Sequence, residues 1–348
     1  MKILTDFDGA NICVLKQEQN RFVIEPDMRD TDCDWFYWAF CAEGKCGETA
    51  EFSFEKPVRL GRFGAAVSED LKNWNWLKSG DEYSFSYTFR SDGRVYFAHD
   101  ILYPATRFAR RFVTKELCTS EKGRSVPFAT MGNGENTVLL TARHHCCESS
   151  GGYVLEGVAS YLKDNLPPDL KLIVVPYVDY DGVCDGDQGK NRRPHDHNRD
   201  YADTIYSTVR AIKALTQNER ILYAFDFHSP YYQGGRRDYP FIVHANEKPE
   251  TVEFARLLEK ETAQLAIKYD SKNDVKYGME WNKKSDLADK CSKYFSARKE
   301  NLLAFTLENP YFGTENYAVC EEYFLALGEC FAKAFLDFHK MLDKQNRT

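Results

Sequence analysis

The chain contains no run approaching the ~20 apolar residues that a membrane helix needs, so no membrane partner is expected. It carries no basic tail, coiled-coil heptad run, internal repeat or low-complexity tract. Positive charge is in deficit. The formal net charge of −7 argues against nucleic acid or an anionic membrane, because both need clustered cations. The opening "MKILTDFDGANICVL" meets Asp6 and Asp8 before any apolar stretch of signal-peptide length. Paired CxxC spacing is missing as well. The 11 cysteines are odd in number and scattered, so reduced thiols and a cytoplasmic location are expected.

Aromatic residues are abundant instead, with 24 Phe and 21 Tyr among 348 residues, which suits two domains with large buried surfaces. The two halves have different rhythms. Up to about residue 115, short runs such as "RFVIEP", "TAEFSFEK" and "YSFSYTF" alternate partly and are broken by turn residues. An antiparallel β-sandwich over residues 1–118 follows. Beyond it, "NTVLLTA" (136–142), "KLIVVPYV" (171–178), "ILYAFDF" (221–227), "FIVH" (241–244) and "LLAFTL" (302–307) read as strands buried on both faces. Helical faces lie between and after them: Val154, Leu155, Val158, Tyr161 and Leu162; Ile205, Val209 and Ile212; Phe324, Leu327, Phe331, Phe335 and Phe338. Residues 119–348 are therefore expected to form an α/β domain with a mostly parallel sheet flanked by helices. Ligands of such sheets bind beyond the carboxyl ends of the strands.

"TARHHCCESSGG" (141–152) leaves the first of these strands. A Cys₂His₂ structural zinc site fails on geometry, since Cys146 and Cys147 are adjacent and their side chains diverge. His145 and Glu148 form instead a His-x-x-Glu pair able to converge on one ion, and His228 in "YAFDFHSP" supplies a third ligand from another strand end. A catalytic zinc needs three such ligands. His144, four residues from Glu148, could face the same way; His145 is preferred, and His144 is assigned a buried hydrogen-bonding role.

"ARHHCCES" is similar to the "ARxHPGES" segment of zinc carboxypeptidases, in particular of their cytosolic branch. "HDHNRDY" (195–201) resembles the family's "DLNR" segment, "FDFHS" its "DLHGH" segment and "LLAFTLE" its terminal "FTLE" strand, in the same order. "FDGANI", "DWFYWAF", "EDLKNWNWL" and "VYFAHDILYPATR" extend the resemblance to that branch's N-terminal β-domain, so that it covers about residues 6–315. The resemblance implies one Zn²⁺ per chain on His145, Glu148 and His228, and Glu308 as general base. It implies that Asn198 and Arg199 grip the carboxylate of a peptide's last residue. An oxyanion arginine should precede that pair; Arg192 and Arg193 are the candidates, Arg192 preferred. Cys146-Cys147 replaces the usual Pro-Gly. The family's active-site tyrosine has only Tyr311 and Tyr317 as unassigned candidates, each equally suited to packing.

The expected activity is a zinc-dependent carboxypeptidase acting on the C-terminus of a peptide or protein. An aspartoacylase-like zinc amidohydrolase of N-acyl amino acids shares the ligand pattern, and a non-catalytic carboxylate-binding module is the third reading. Selectivity is sought between His228 and Glu308. There "NDVKYGMEWNKKSD" offers Lys283 and Lys284 to an acidic side chain, although a lysine pair is commonly just solvated surface.

Overall fold

The computed structural model describes residues 1–345 apart from 79 and 284–288. Nine strands build the N-terminal part: β1 (Lys2–Leu4), β2 (Cys13–Glu18), β3 (Arg21–Glu25), β4 (Ala39–Gly44), β5 (Thr49–Phe54), β6 (Ala66–Ser68), β7 (Asn75–Trp76), β8 (Ser84–Thr88) and β9 (Gly93–Ala98). They form two sheets in the orders β1-β4-β9-β6-β7 and β2-β3-β5-β8. Strand alternation supplies the core between them. In β5, Ala50, Phe52 and Phe54 point inward while Thr49 and Glu51 are exposed, and Phe22, Phe40, Phe85 and Phe97 meet this set from four other strands. The expected antiparallel sandwich stands with one departure: β3 and β5 pair in parallel. Between them the chain crosses into the opposite sheet as β4, which provides the crossover a parallel pair requires.

After a short helix, α1 (Arg107–Arg111), come β10 (Lys115–Thr119), β11 (Ser125–Met131), β12 (Asn136–Ala142), β13 (Leu170–Val175), β14 (Arg220–His228), β15 (Phe241–His244) and β16 (Leu303–Glu308). They make one sheet in the order β10-β11-β13-β12-β14-β16-β15. Its four central strands run parallel and the outer ones antiparallel. The boundary drawn at residue 118 thus falls inside β10, a strand of this seven-stranded sheet. Helices α2 (Ser149–Asn165), α3 (Tyr180–Asp185), α4 (Ser207–Thr216), α5 (Pro249–Thr262), α6 (Cys291–Ser296) and α7 (Glu321–Gln345) complete the part. Val138 and Leu140 face the core under α2, α5 and α7, whereas Leu139 faces that under α4 and α6. Burial on both faces explains why β12 reads as a continuous apolar run. One face assignment fails: Ile205 lies before α4 and is 42% exposed, because the helix begins only at Ser207.

The two parts share buried contacts. Trp76 Nε1 donates to Val319 O at 2.8 Å, and Phe36 packs with Tyr311 and Phe312. Among the described residues no helix is long and apolar enough to cross a membrane.

Candidate metal centre and cleft

Three neighbouring parallel strands end level with one another. Register pairs Ala142 of β12 with Phe227 of β14, and His228 with Glu308 of β16. The chain leaves β12 through Arg143, a non-glycine residue with φ of 60°, whose Nε donates to Cys146 O at 2.7 Å and fixes the loop. Glu148 then occupies the N-cap position of α2, where its side chain makes no capping hydrogen bond. Gly151 lets that helix start against the sheet: a Cβ there would stand 2.6 Å from Phe227 O and 3.1 Å from His228 N. This contact holds Glu148 beside His228.

His145, Glu148 and His228 are all buried, and each offers a ligand atom within 4.8 Å of the others. Glu148 Oε1 lies 2.9 Å from His145 Nδ1, and Oε2 lies 2.7 Å from His228 Nδ1 without the angles of a hydrogen bond. The two Nδ1 atoms are 3.2 Å apart. Behind this cluster, His228 Nε2 donates to Asp226 Oδ2 at 2.7 Å, and His145 Nε2 faces Asp196 Oδ1 at 3.6 Å. His144 donates from Nδ1 to the other Asp226 oxygen at 2.8 Å and accepts from the Tyr201 hydroxyl at 2.9 Å. His144, Asp226 and His228 also stand close enough to share an ion, but their facing atoms are spent on each other.

In this cluster burial and opposite charges oppose one another. Burial opposes ionisation of Glu148, yet His145, Lys190 and His228 together hold its carboxyl well below the usual range. Burial would also depress His228, but Asp226 and Glu148 on either side raise it well above an ordinary histidine. Two imidazole Nδ1 atoms converge with the Glu148 carboxylate, whose Oε2 has no hydrogen-bond partner, and each imidazole has a carboxylate behind it; this matches the donor chemistry and orienting shell of a zinc site. The residues fit the ion.

The cluster opens into a cleft of about 750 Å³ that His145, His228, Glu308, Asn198, Arg199, Lys190 and Trp35 help to line. Burial pushes the Glu308 carboxyl up to about 7, and its Oε2 is buried without a hydrogen-bond partner. Arg199 pairs with Asp196 at 2.5 Å, and Asn198 Oδ1 accepts from Cys291 N at 3.3 Å. His195 hydrogen-bonds Asp200, while His197 stacks on Tyr206.

Neither arginine expected to face the oxyanion lines this cleft. Arg192 is buried in a separate cavity, paired with Asp179, with Asp187 at 2.9 Å and with Asp30 at 2.6 Å. Arg193, with its side chain 84% exposed, pairs with Asp32. Of the cations lining the cleft, Lys190 stands against the cluster itself, its Nζ 2.6 Å from Glu148 Oε1 and 2.7 Å from His145 Nδ1. Asn191, with φ of 46°, turns the chain between the two, so Lys190 and Arg192 reach different sites. Lys190 and Trp35 escaped the reading of the sequence, as did the place of Asp196 behind His145. Asp226 was missed as well, although strand period puts it on the same face as His228.

Tyr311 is buried with Phe36 and Phe312, Tyr317 lies 3.7 Å from Cys320 Sγ, and neither lines the cleft; Tyr231 does. Cys146 donates its thiol to Asp187 O at 3.0 Å, and Cys147 Sγ lies 3.7 Å from the Tyr311 hydroxyl. Glu280, Trp281 and Asn282 line the cleft. Lys283 is exposed and Lys284 lies outside the described residues.

No protein-family model matches the chain. The structure superimposes on a metallo-carboxypeptidase from Burkholderia cenocepacia with a TM-score of 0.80 at 20% identity, over 98% of this chain and 99% of that one. The fold is the metallo-carboxypeptidase fold, as the motif resemblance implied. In sequence, the chain is 26% identical to cytosolic carboxypeptidase 2 of Xenopus tropicalis over 217 residues, 51% of this chain and 22% of that protein. It is 28% identical to an uncharacterized protein of Zymomonas mobilis subsp. mobilis over 229 residues, 58% of this chain and 60% of that protein. The chain thus spans less than two thirds of the length of these curated relatives, and its resemblance is to the cytosolic carboxypeptidase branch.

Proposed function

We propose that the protein is a zinc-dependent carboxypeptidase that hydrolyses the last peptide bond of peptides or protein tails. The observation that carries this reading is the convergence of His145, Glu148 and His228 within 4.8 Å in the cleft that also holds Glu308, Asn198 and Arg199. His145, Glu148 and His228 would hold one zinc ion, which when bound lowers the pKa of water from 15.7 toward about 7. Glu308, held near neutrality by burial, takes a proton at its carboxylate and returns it to the departing amine. Lys190 opposes the negative charge of the tetrahedral state, the task first given to Arg192 or Arg193. Arg199 offers a planar fork to the terminal carboxylate, with Asn198 donating from its amide NH₂. An internal bond presents no such carboxylate, and exopeptidase selectivity follows. The two sheet systems act as separate domains meeting near residue 115, and the 11 free cysteines suit a reducing, cytoplasmic setting.

A library of peptides varying in the C-terminal residue, read by mass spectrometry with and without chelator, tests the activity. Single-residue losses that stop with chelator are expected. Glu308→Gln should lower kcat by about 10²–10⁴-fold while zinc content is retained. Hydrolysis of N-acyl amino acids in place of peptides would select the amidohydrolase instead. Zinc and peptide binding without turnover would select the binding module.

A further inference from the structure

Lys190 sits on a segment that the other half of the molecule grips too, besides the Arg192–Asp179 pair and the Cys146 thiol on Asp187 O. Asp187 is held by Arg29 at 2.8 Å. Gln188 is fully buried; its Oε1 accepts from Tyr37 N at 2.9 Å, and its Nε2 donates to Tyr37 O at 2.8 Å. Asn191 O accepts from Asp32 N at 3.2 Å, and Arg192 pairs with Asp30 and bridges Thr31. Every one of these partners from the other half lies between residues 29 and 37. The same stretch supplies Trp35, over whose ring Lys190 Nζ lies at 5.4 Å from the centroid. Trp35 is itself wedged, stacked on Phe36 at 4.8 Å and edge-on to Tyr231 at 5.2 Å.

We propose that the N-terminal β-domain is a working part of the catalytic cleft, and that Trp35 is a positioning residue that aims the Lys190 ammonium at the cluster of His145, Glu148 and His228. This rests on the role given to Lys190 above. A lysine has a flexible four-carbon arm, and its charge reaches one place reliably only if something restrains that arm. The clamp on residues 187–192 fixes where the arm starts. The indole face, attractive to a cation, flanks where it ends, opposite the Glu148 carboxylate 2.6 Å from the ammonium. A domain that contributes no ligand to the metal cluster thereby helps to place the cation nearest that cluster.

The test uses the full-length zinc protein with Trp35→Leu, Trp35→Phe, Lys190→Met and the double variant Trp35→Leu/Lys190→Met. Trp35→Met replaces Trp35→Leu should the latter not fold. Zinc content and thermal midpoint establish that each variant is folded. One readout is the rate at which Lys190 is acylated by an amine-reactive reagent at fixed pH, followed by mass spectrometry. Trp35→Leu should raise that rate by about tenfold, and Trp35→Phe by less than about twofold. The second readout is turnover. Trp35→Leu should lower kcat by about tenfold with KM nearly unchanged, Trp35→Phe should restore it, and Trp35→Leu should cost nothing more on the Lys190→Met background. Unchanged acylation, or losses that multiply in the double variant, would overturn the proposal. If the wild type cleaves no peptide, the proposed function fails, and the acylation rates alone then decide whether Trp35 positions Lys190.

Discussion

Lys190 and Arg192 are separated by one residue, yet they answer to different demands. Lys190→Met should lower kcat by about 10²-fold, as loss of a single oxyanion donor does, and leave the thermal midpoint nearly unchanged. Arg192→Met should do the reverse. It strands the buried Asp179 carboxylate and should cost about 3–5 kcal/mol of stability, read from denaturant unfolding, while zinc-loaded turnover is largely kept. The reverse pattern would restore the original assignment of Arg192. His145, Glu148, His228 and Glu308 were legible because each closes or follows an apolar run, and strand ends are where an α/β sheet gathers ligands. Lys190 was not, because Asn191, though a residue type prone to the left-handed region, does not tell which of its two cationic neighbours the turn sends to the cluster. Asp100 carries a second prediction. Burial pushes its carboxyl up to about 8, with Arg143 only partly opposing. The unfolded chain loses this proton near pH 4 and the folded chain near 8, so stability declines as pH rises through that window. Asp100→Asn should therefore be more stable than the wild type at pH 8, by an amount on the order of a few kcal/mol, with the gap closing toward pH 4 in urea titrations. A gap independent of pH would mean that the Asp100 carboxyl is ionised in the folded protein.

At the scale of elements, α2 has two tasks that two glycines separate. At its first turn Gly151 meets the end of β14, and further along Gly157 meets α7, where a Cβ would stand 2.4 Å from Leu325 O. Each added methyl confronts backbone that cannot rotate aside, so Gly151→Ala and Gly157→Ala should each cost about 1–3 kcal/mol. Only Gly151→Ala should also weaken zinc binding, by about 10–100-fold in chelator competition, because the helix end it displaces carries Glu148. Equal zinc affinities would show that Glu148 is held by its loop and not by the helix. The apolar period of α2 was visible in Val154, Leu155 and Val158, and the strands announced themselves by runs buried on both faces. The start of α4 was misread at Ile205 because an apolar residue in phase with a helix need not belong to it. The parallel pairing of β3 with β5 was out of reach, since strand patterns report which face is buried and not which neighbour is paired.

For the whole molecule, the question is whether the halves behave as one body. The aromatic seam of Phe36, Tyr311 and Phe312, the Trp76–Val319 hydrogen bond and the clamp on the Lys190 segment all cross from the sandwich to the α/β sheet. Tyr311 and Phe312 lie within a few residues of Glu308, and Tyr37 packs with Cys147 in the loop carrying two metal ligands, so unfolding of the sandwich would remove one wall of the cleft. A lesion far from that wall tests this coupling. Phe97 is fully buried in the sandwich core, and Phe97→Ala should cost about 3–5 kcal/mol there. If the halves unfold together, calorimetry should show a single transition that moves down as a whole, and zinc release followed by a chelating dye should move with it. Were the halves independent, Phe97→Ala would split the trace into an early transition of the sandwich and a later one that alone releases zinc.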